Sequence, residues 1–152
     1  WIINPYYIKQ YNNRWFLLGM TNSHPNQITT FALDRIISYY AIEDEEYIEN
    51  KTINFDEYFD DIIGITLPKD GKIEKVILKF SASRYPYIVT KPPHGSMKLI
   101  DKENHIIQLN IIPNRELENL ILSYGNDVEV LEPLWLREQI KSKLKETIQK
   151  YF

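Results

Sequence analysis

Arginines beside aromatic residues are the most chemically suggestive feature of this sequence. Arg14 directly precedes Trp15 and Phe16, and Arg35 directly follows Asp34. Successive side chains of a strand point to opposite faces, so one face would present Arg14 beside Phe16. A guanidinium group can hold a phosphate bidentately, and an aromatic ring can stack on a base. The segments therefore predict a site for an anionic ligand, while a turn closed by Asp34 and Arg35 and a core position for Trp15 remain the alternative.

Evidence for catalytic chemistry is sparse. The three histidines are too far apart to form a spacing motif, and no zinc-protease, phosphate-loop, nucleophile-elbow or calcium-loop motif is present. His105 alternates with apolar residues and is expected to be structural. His94 follows Pro92 and Pro93 in a loop, where functional residues are more common, so we include it as a candidate ligand-binding residue. We expect no enzyme activity, no catalytic residue, no metal and no cofactor.

The composition excludes several classes of protein. Cysteine is absent, which rules out disulfides, cysteine-bound zinc, iron–sulfur clusters and thiol catalysis. No apolar run approaches the roughly 20 residues that span a bilayer, and no secretory signal opens the chain. We expect a cytoplasmic protein without membrane contact. Since the chain begins at Trp1 rather than Met, we expect a fragment of a longer protein.

Charge is distributed unevenly along the chain. The formal net charge is -3, yet nine acidic residues and a single lysine fall within residues 41–61. The flanking segments are mildly basic. A solvated acidic segment is the simpler interpretation, and the remaining surface can still attract an anion.

The first predicted domain spans residues 1–66 and is mainly strand. Residues 5–11 and 14–20 form a hairpin around Asn12 and Asn13, two residues that tolerate positive φ. Residues 28–33 and 36–42 are two further β-rich runs. Four short strands predict a small Sm-like or SH3-like barrel. Asn54 then caps a helix that packs on the barrel through the apolar stripe Phe55, Tyr58, Phe59, Ile62 and Ile63.

A linker of turn-forming residues, 67–72, precedes the second predicted domain, residues 73–152. Alternation in residues 75–80 predicts a strand, residues 81–89 a short helix, and residues 96–112 a hairpin. Asn114 caps a second helix, residues 128–131 form a strand, and Pro133 begins a last helix. The order β-α-β-β-α-β followed by a helix predicts a ferredoxin-like α+β domain.

Several segments, taken in order, resemble the WYL domain of bacterial transcriptional regulators. The family signature is an Arg-Trp-Tyr-Leu strand followed by a Phe-x-Leu-Asp-Arg-Ile strand, which stand here as residues 14–17 and 31–36. The second domain resembles the C-terminal WCX extension of these regulators through residues 94–96, 116–117, 121–125, 128–131 and 133–137. Two departures weaken an anion site: the family tyrosine is Phe16, and Thr29 and Thr30 replace a frequent arginine.

The resemblance implies the effector-sensing and dimerising region of a regulator. The implied effector is a nucleotide or oligonucleotide, bound by a site that would include Arg14, Trp15, Phe16, Arg35 and His94. Operator DNA would be bound by a helix-turn-helix domain absent from this chain, and the first barrel strand would also be absent. A homodimer is expected, with the last helix and Trp135 as the predicted contact. A direct single-strand nucleic-acid-binding module and a purely structural dimerisation domain remain alternatives.

Overall fold

A computed structural model of the chain divides into two units, residues 1–58 and residues 59–152. The structure describes the backbone of all 152 residues and every side chain except that of Asn26. Helix and sheet are both present, with two open antiparallel sheets and three α-helices in the described chain. The α+β class predicted from the sequence is therefore confirmed.

The first unit contains a three-stranded antiparallel meander. Its strands, in spatial order, are β1 (Ile3–Tyr11), β2 (Arg14–Thr21) and β3 (His24–Ala32). The turn between β1 and β2 holds Asn12 and Asn13 at φ of +47° and +59°. Both values lie in the left-handed region, as the predicted hairpin turn requires. Asparagine adopts this region at little energetic cost. A short 3-10 helix, Leu33–Arg35, follows β3.

This sheet does not close, so the prediction of a barrel was wrong. β1 and β3 each pair only with β2. Residues 36–42, which were expected to form a fourth strand, have no regular secondary structure. In the described part of the chain, the backbone of residues 37–42 makes no backbone–backbone hydrogen bond. A strand is stabilised by its neighbours, so β-propensity without a partner strand does not produce one.

The helix predicted to begin at Asn54 is also not formed. The backbone of residues 55–61 makes turns instead, beginning where the N–H of Tyr58 donates to the carbonyl of Asn54 at 3.0 Å. The Asp61 carbonyl accepts from the N–H of Ile112 at 2.7 Å, so the end of this segment is bonded outside it. The expected apolar stripe is consequently split. Phe55 is buried in the first unit, whereas Ile63 belongs to the core of the second unit.

The second unit has a four-stranded antiparallel sheet with three helices. Its elements are, in chain order, β4 (Glu74–Phe80), α1 (Tyr85–Thr90), β5 (Lys98–Asp101), β6 (Ile106–Ile111), α2 (Arg115–Ser123), β7 (Val128–Glu132) and α3 (Leu134–Ile148). The strands lie in the spatial order β5-β6-β4-β7. The predicted alternation is confirmed, because Val76, Leu78 and Phe80 are buried while Lys75 and Lys79 are exposed.

Asn114 organises the start of α2. Its Oδ1 accepts from the N–H of Leu117 at 2.9 Å, as expected of an N-cap residue. Its Nδ2 donates to the carbonyls of Ile63 at 2.8 Å and Thr66 at 2.9 Å. One side-chain amide therefore joins the helix start to residues 63–66, and Asn114 is buried as a result.

The apolar stripe of α3 is buried only in its first half. Leu136 and Ile140 belong to the core, whereas Leu144 and Ile148 are exposed. Among the described residues, no helix is both long enough and apolar enough to cross a membrane.

Candidate ligand-binding cleft

The first unit contains a cleft of about 920 Å³. Residues from the start of β1, from the centre of the sheet and from the segment after β3 line it. Nineteen residues line it, and they include one arginine, Arg35, and the aromatic residues Trp1, Phe31, Tyr39, Tyr40 and Tyr47. The five aromatic rings give the cleft flat surfaces on which a ligand ring could stack.

One wall of the cleft is the sheet itself. Phe31 of β3 lies opposite Leu17 of β2 in the strand register, so both side chains share one face. The ring of Trp1 meets the ring of Phe31 edge to face, with centroids 5.7 Å apart and planes at 75°. This geometry is favourable for an aromatic pair.

Residues 36–47 form the other wall, and hydrogen bonds to β1 hold its far end. The hydroxyl of Tyr47 donates to the Pro5 carbonyl at 2.9 Å, and the N–H of Ile48 donates to Oδ1 of Asn4 at 2.8 Å. Asn4 is only 5% exposed, so the second bond is shielded from water. The side chains of Tyr39 and Tyr40 are by contrast 91% and 84% exposed, so they are accessible to a ligand.

The charged side chains that line the cleft carry a net charge of -1. Arg35 is its one cationic lining residue among the described side chains, and Glu45 and Glu46 also line it. Asn22 donates to the Glu45 carboxylate at 3.4 Å and is thus part of the same wall. A ligand with several negative charges would meet two carboxylates here, whereas a ligand with one would be balanced by Arg35.

The opposite face of the sheet has a smaller cavity of about 420 Å³. Tyr6, Met20 and Ile28 line it together with residues 48–53. Desolvation raises the pKa of the Tyr6 hydroxyl, and neighbouring Tyr47 raises it further. The Tyr6 hydroxyl therefore remains a neutral donor at physiological pH.

The structure places the residues predicted to form the site in different local environments. Only Arg35 lines the cleft. Arg14 instead forms an ion pair with Asp34 at 3.1 Å. Trp15 is half exposed opposite Gln10. Phe16 is half-buried, beside Lys9 of β1 and Ala32 of β3 in the strand register.

His94 belongs to the second unit, where it takes part in a local turn. Its Nδ1 is 2.8 Å from the hydroxyl of Ser96 and accepts from the Ser96 N–H at 3.2 Å. The Ser96 hydroxyl oxygen in turn accepts from the N–H of Asn110 at 3.0 Å. Nδ1 is thus occupied within the protein, and the turn explains the histidine without a ligand. Among the described residues, no cluster of three or more His, Asp or Glu side chains could hold a metal ion.

Sequence reasoning missed the aromatic walls of the cleft. Trp1, Tyr39, Tyr40 and Tyr47 were not singled out, because residues 36–42 were interpreted as a barrel strand. A usable signal was present: Tyr39 and Tyr40 fall in a run without charge between Arg35 and the acidic segment. Adjacent aromatic residues on a strand cannot both face one core, so one of them had to be accessible.

These features define a mixed helix-and-sheet protein with an aromatic cleft in one unit and a helix-covered sheet in the other. A scan against protein families matches residues 72–148 to the WCX domain, the extension found in regulators that contain a WYL domain. The match covers just over half of the chain, which therefore belongs to the WCX domain family. No curated protein matches the chain significantly. The resemblance of the second predicted domain to WCX is thus confirmed.

Proposed function

We propose that this chain is the effector-sensing region of a transcriptional regulator, and that its cleft binds a nucleotide. The observation that carries the proposal is the cleft itself: five aromatic residues and one arginine line it, on a chain of the WCX family. Stacking of one base on an aromatic side chain contributes about 1–3 kcal/mol. Arg35 supplies the complementary group for one phosphate.

The charges that line the cleft favour a ligand with few phosphate groups. Glu45 and Glu46 oppose additional negative charge, so a nucleoside monophosphate suits the cleft better than a triphosphate or an oligonucleotide. Exposed Tyr39 and Tyr40 offer the stacking surfaces, and Arg35 lines the same cleft. The proposed effector is thus still an anion, as inferred from the sequence, but it carries less negative charge than an oligonucleotide.

The wider proposal is that the first unit is a WYL domain and that the second unit is ferredoxin-like. The order β4-α1-β5-β6-α2-β7 and the spatial order β5-β6-β4-β7 support the second assignment. An effector that binds one arrangement of the regulator more tightly would shift the affinity of a DNA-binding domain outside this chain. A cytoplasmic location follows from that role.

Calorimetry of the whole chain with adenosine monophosphate, adenosine and inorganic phosphate tests the proposal. The monophosphate should bind, adenosine should bind more weakly, and phosphate alone should not bind detectably. Arg35→Ala should weaken binding of the monophosphate about 10- to 100-fold, as expected for the loss of a charge-assisted hydrogen bond. Adenosine binding should not change in this variant.

Arg14→Ala is the matched control, because it removes the same charge from the same unit while Arg14 is engaged with Asp34. Equal losses in the two variants would show a general charge effect and contradict the site. Failure of the monophosphate to bind at millimolar concentration would also contradict it. Strong, salt-dependent binding of random oligonucleotides would instead favour a single-strand nucleic-acid-binding module.

A further inference from the structure

The cavity of about 420 Å³ on the other face of the first sheet, called the small cavity below, lies where the pairing of the strands is irregular. In the pairing of β1 with β2, Pro5 lies opposite Gly19 and Tyr7 lies opposite Leu18, so Tyr6 is an extra residue. A β-bulge of this kind re-aims a side chain, and bulges are frequent beside functional sites. The bulged residue, Tyr6, is one of those that line the small cavity.

The pairing of β2 with β3 is irregular at the same level of the sheet. Met20 lies opposite Ile28, whereas the next residue of β2 lies opposite His24. Three residues of β3 are therefore extra, and two of them, Pro25 and Gln27, line the small cavity. Irregularities on both sides of β2 thus open this face of the sheet around Met20.

Residues 48–53 complete the lining, and hydrogen bonds hold this segment in place. At its start, the N–H of Ile48 donates to Oδ1 of Asn4 at 2.8 Å. At its end, Nδ2 of Asn50 donates to the carbonyl of Ile53 at 2.7 Å, and Oδ1 of Asn50 accepts from the N–H of Ile53 at 3.0 Å. The small cavity is therefore formed before any ligand binds, as is usual for small-molecule sites.

The apolar part of the lining is suited to an aromatic ring. It consists of Tyr6, Met20, Ile28, Ile48 and Ile53. A methionine thioether and a tyrosine ring both make favourable contacts with a second aromatic ring. Ile48 is 47% exposed, so a ligand that covers it would remove apolar surface from water.

The polar part of the lining favours a ligand without charge. Glu49 and Lys51 are its charged members among the described residues; they have opposite signs and lie 3.9 Å from each other. A charged ligand would lose hydration here without gaining an unpaired opposite charge. The hydroxyl of Tyr6 has no hydrogen-bond partner within the described chain, so it is free to donate to a ligand.

We propose that the small cavity binds a small uncharged aromatic compound that carries a hydrogen-bond acceptor. The acceptor would receive a hydrogen bond from the Tyr6 hydroxyl, and the ring would contact Met20. The small cavity and the cleft share no lining residue, so this site does not depend on nucleotide binding. The first unit would then have two ligand sites of different chemistry on opposite faces of one sheet.

The two methionines of the chain give a direct readout, because one lies in each unit. Met20 lines the small cavity, whereas Met97 packs on the core of the second unit. In NMR spectra of the whole chain with isotope-labelled methionine methyl groups, acetophenone should shift the Met20 resonance, with saturation at millimolar concentration. The Met97 resonance should not shift. Benzoate, which has the same ring with a full charge, should bind at least about tenfold more weakly.

Tyr6→Phe tests the hydrogen bond. The variant removes a hydroxyl that bonds nothing within the described chain, so the fold keeps its hydrogen bonds. It should weaken acetophenone binding about 3- to 10-fold and leave binding of toluene, a ring without an acceptor, unchanged. Tyr7→Phe is the matched control, because Tyr7 stacks on Phe55 and does not line the small cavity; it should change neither affinity.

Four outcomes would overturn the proposal. These are no shift of Met20 at millimolar acetophenone, equal shifts of both methionines, equal effects of the two tyrosine variants, and displacement of acetophenone by adenosine monophosphate. The last would place the ring in the cleft instead. A chain that binds acetophenone beside Met20 but does not bind the monophosphate would support the small cavity as a site and contradict the proposed nucleotide cleft alone.

Discussion

The side-chain carbonyl of Asn4 accepts a hydrogen bond from the backbone N–H of Ile48 at 2.8 Å, across 44 positions of sequence. Asn4 belongs to β1, and Ile48 follows the irregular wall of the cleft. Since Asn4 is buried, this bond is the main shielded link between the wall and the sheet.

Asn4→Ala should therefore lower the free energy of unfolding by about 1–3 kcal/mol, because the N–H of Ile48 would lose its partner in a shielded position. Chemical denaturation followed by tryptophan fluorescence would measure the change. Asn22→Ala is the control: its side-chain bonds to Asn4 and Glu45 are both 3.4 Å long, so the loss should be smaller. Equal losses would show that the Asn4–Ile48 bond is not special.

Asn114 offers a test in which two functions of one side chain can be separated. Asn114→Ala should lower the free energy of unfolding by about 2–4 kcal/mol, because the N-cap of α2 and the partners of the Ile63 and Thr66 carbonyls are lost together. Asn114→Asp retains an acceptor for the Leu117 N–H but has no amide donor. Its loss should lie between those of the wild-type and alanine forms. An aspartate variant as unstable as the alanine variant would contradict the importance of the cap.

Phe55 should be a core residue of the first unit. It is 9% exposed, and its ring stacks on that of Tyr7 with centroids 4.8 Å apart and planes at 8°. Phe55→Ala should cost about 3–5 kcal/mol through the cavity it leaves. Phe55→Leu, which refills most of that volume, should cost clearly less. A denaturation midpoint near that of the wild type for Phe55→Ala would exclude this packing.

Asp101 provides a prediction about pH. The side chain of Asn104 donates to one carboxylate oxygen at 2.7 Å, and its backbone N–H donates to the other at 2.9 Å. These bonds, the side-chain bond first, lower the pKa of Asp101 below its usual 3.8. The carboxylate form is the one stabilised, so the contribution of this turn to stability is complete above the unfolded pKa. It is lost as the pH falls through the lower folded pKa.

An NMR titration of the Asp101 carboxyl group would measure this directly. Its midpoint should lie below 3.8 in the wild-type protein and should rise towards that value in Asn104→Ala. A wild-type midpoint at or above 3.8 would contradict the hydrogen-bonded turn.

Sequence patterns anticipated the second unit well because its determinants are local. The alternation in β4 and the cap at Asn114 each depend on residues only a few positions apart. In the first unit the same kind of reasoning failed at residues 36–42 and at the helix expected after Asn54. Both segments had suitable propensity, but the first has no partner strand, and the end of the second bonds to Ile112 through Asp61.

The candidate site was anticipated only through Arg35. The wall that carries Tyr39 and Tyr47 is positioned by long-range bonds to Asn4 and Pro5, and no local pattern encodes such contacts. Arg14 was predicted to bind a ligand because it stands beside aromatic residues, yet the acceptor it finds is Asp34. The residue types were therefore informative about the chemistry, but the sequence did not indicate which residues would pair.

The hydrogen bonds of Asn114 belong to a compact unit that begins before the stretch of sequence similarity. The family match starts at residue 72, whereas the second unit starts at residue 59 and buries Ile63 in its core. A gene fusion or truncation that follows the family boundary would remove the two carbonyls to which the Asn114 amide donates. It would also expose the apolar surface that Ile63 covers. The compact module is therefore longer than the stretch by which its family is recognised.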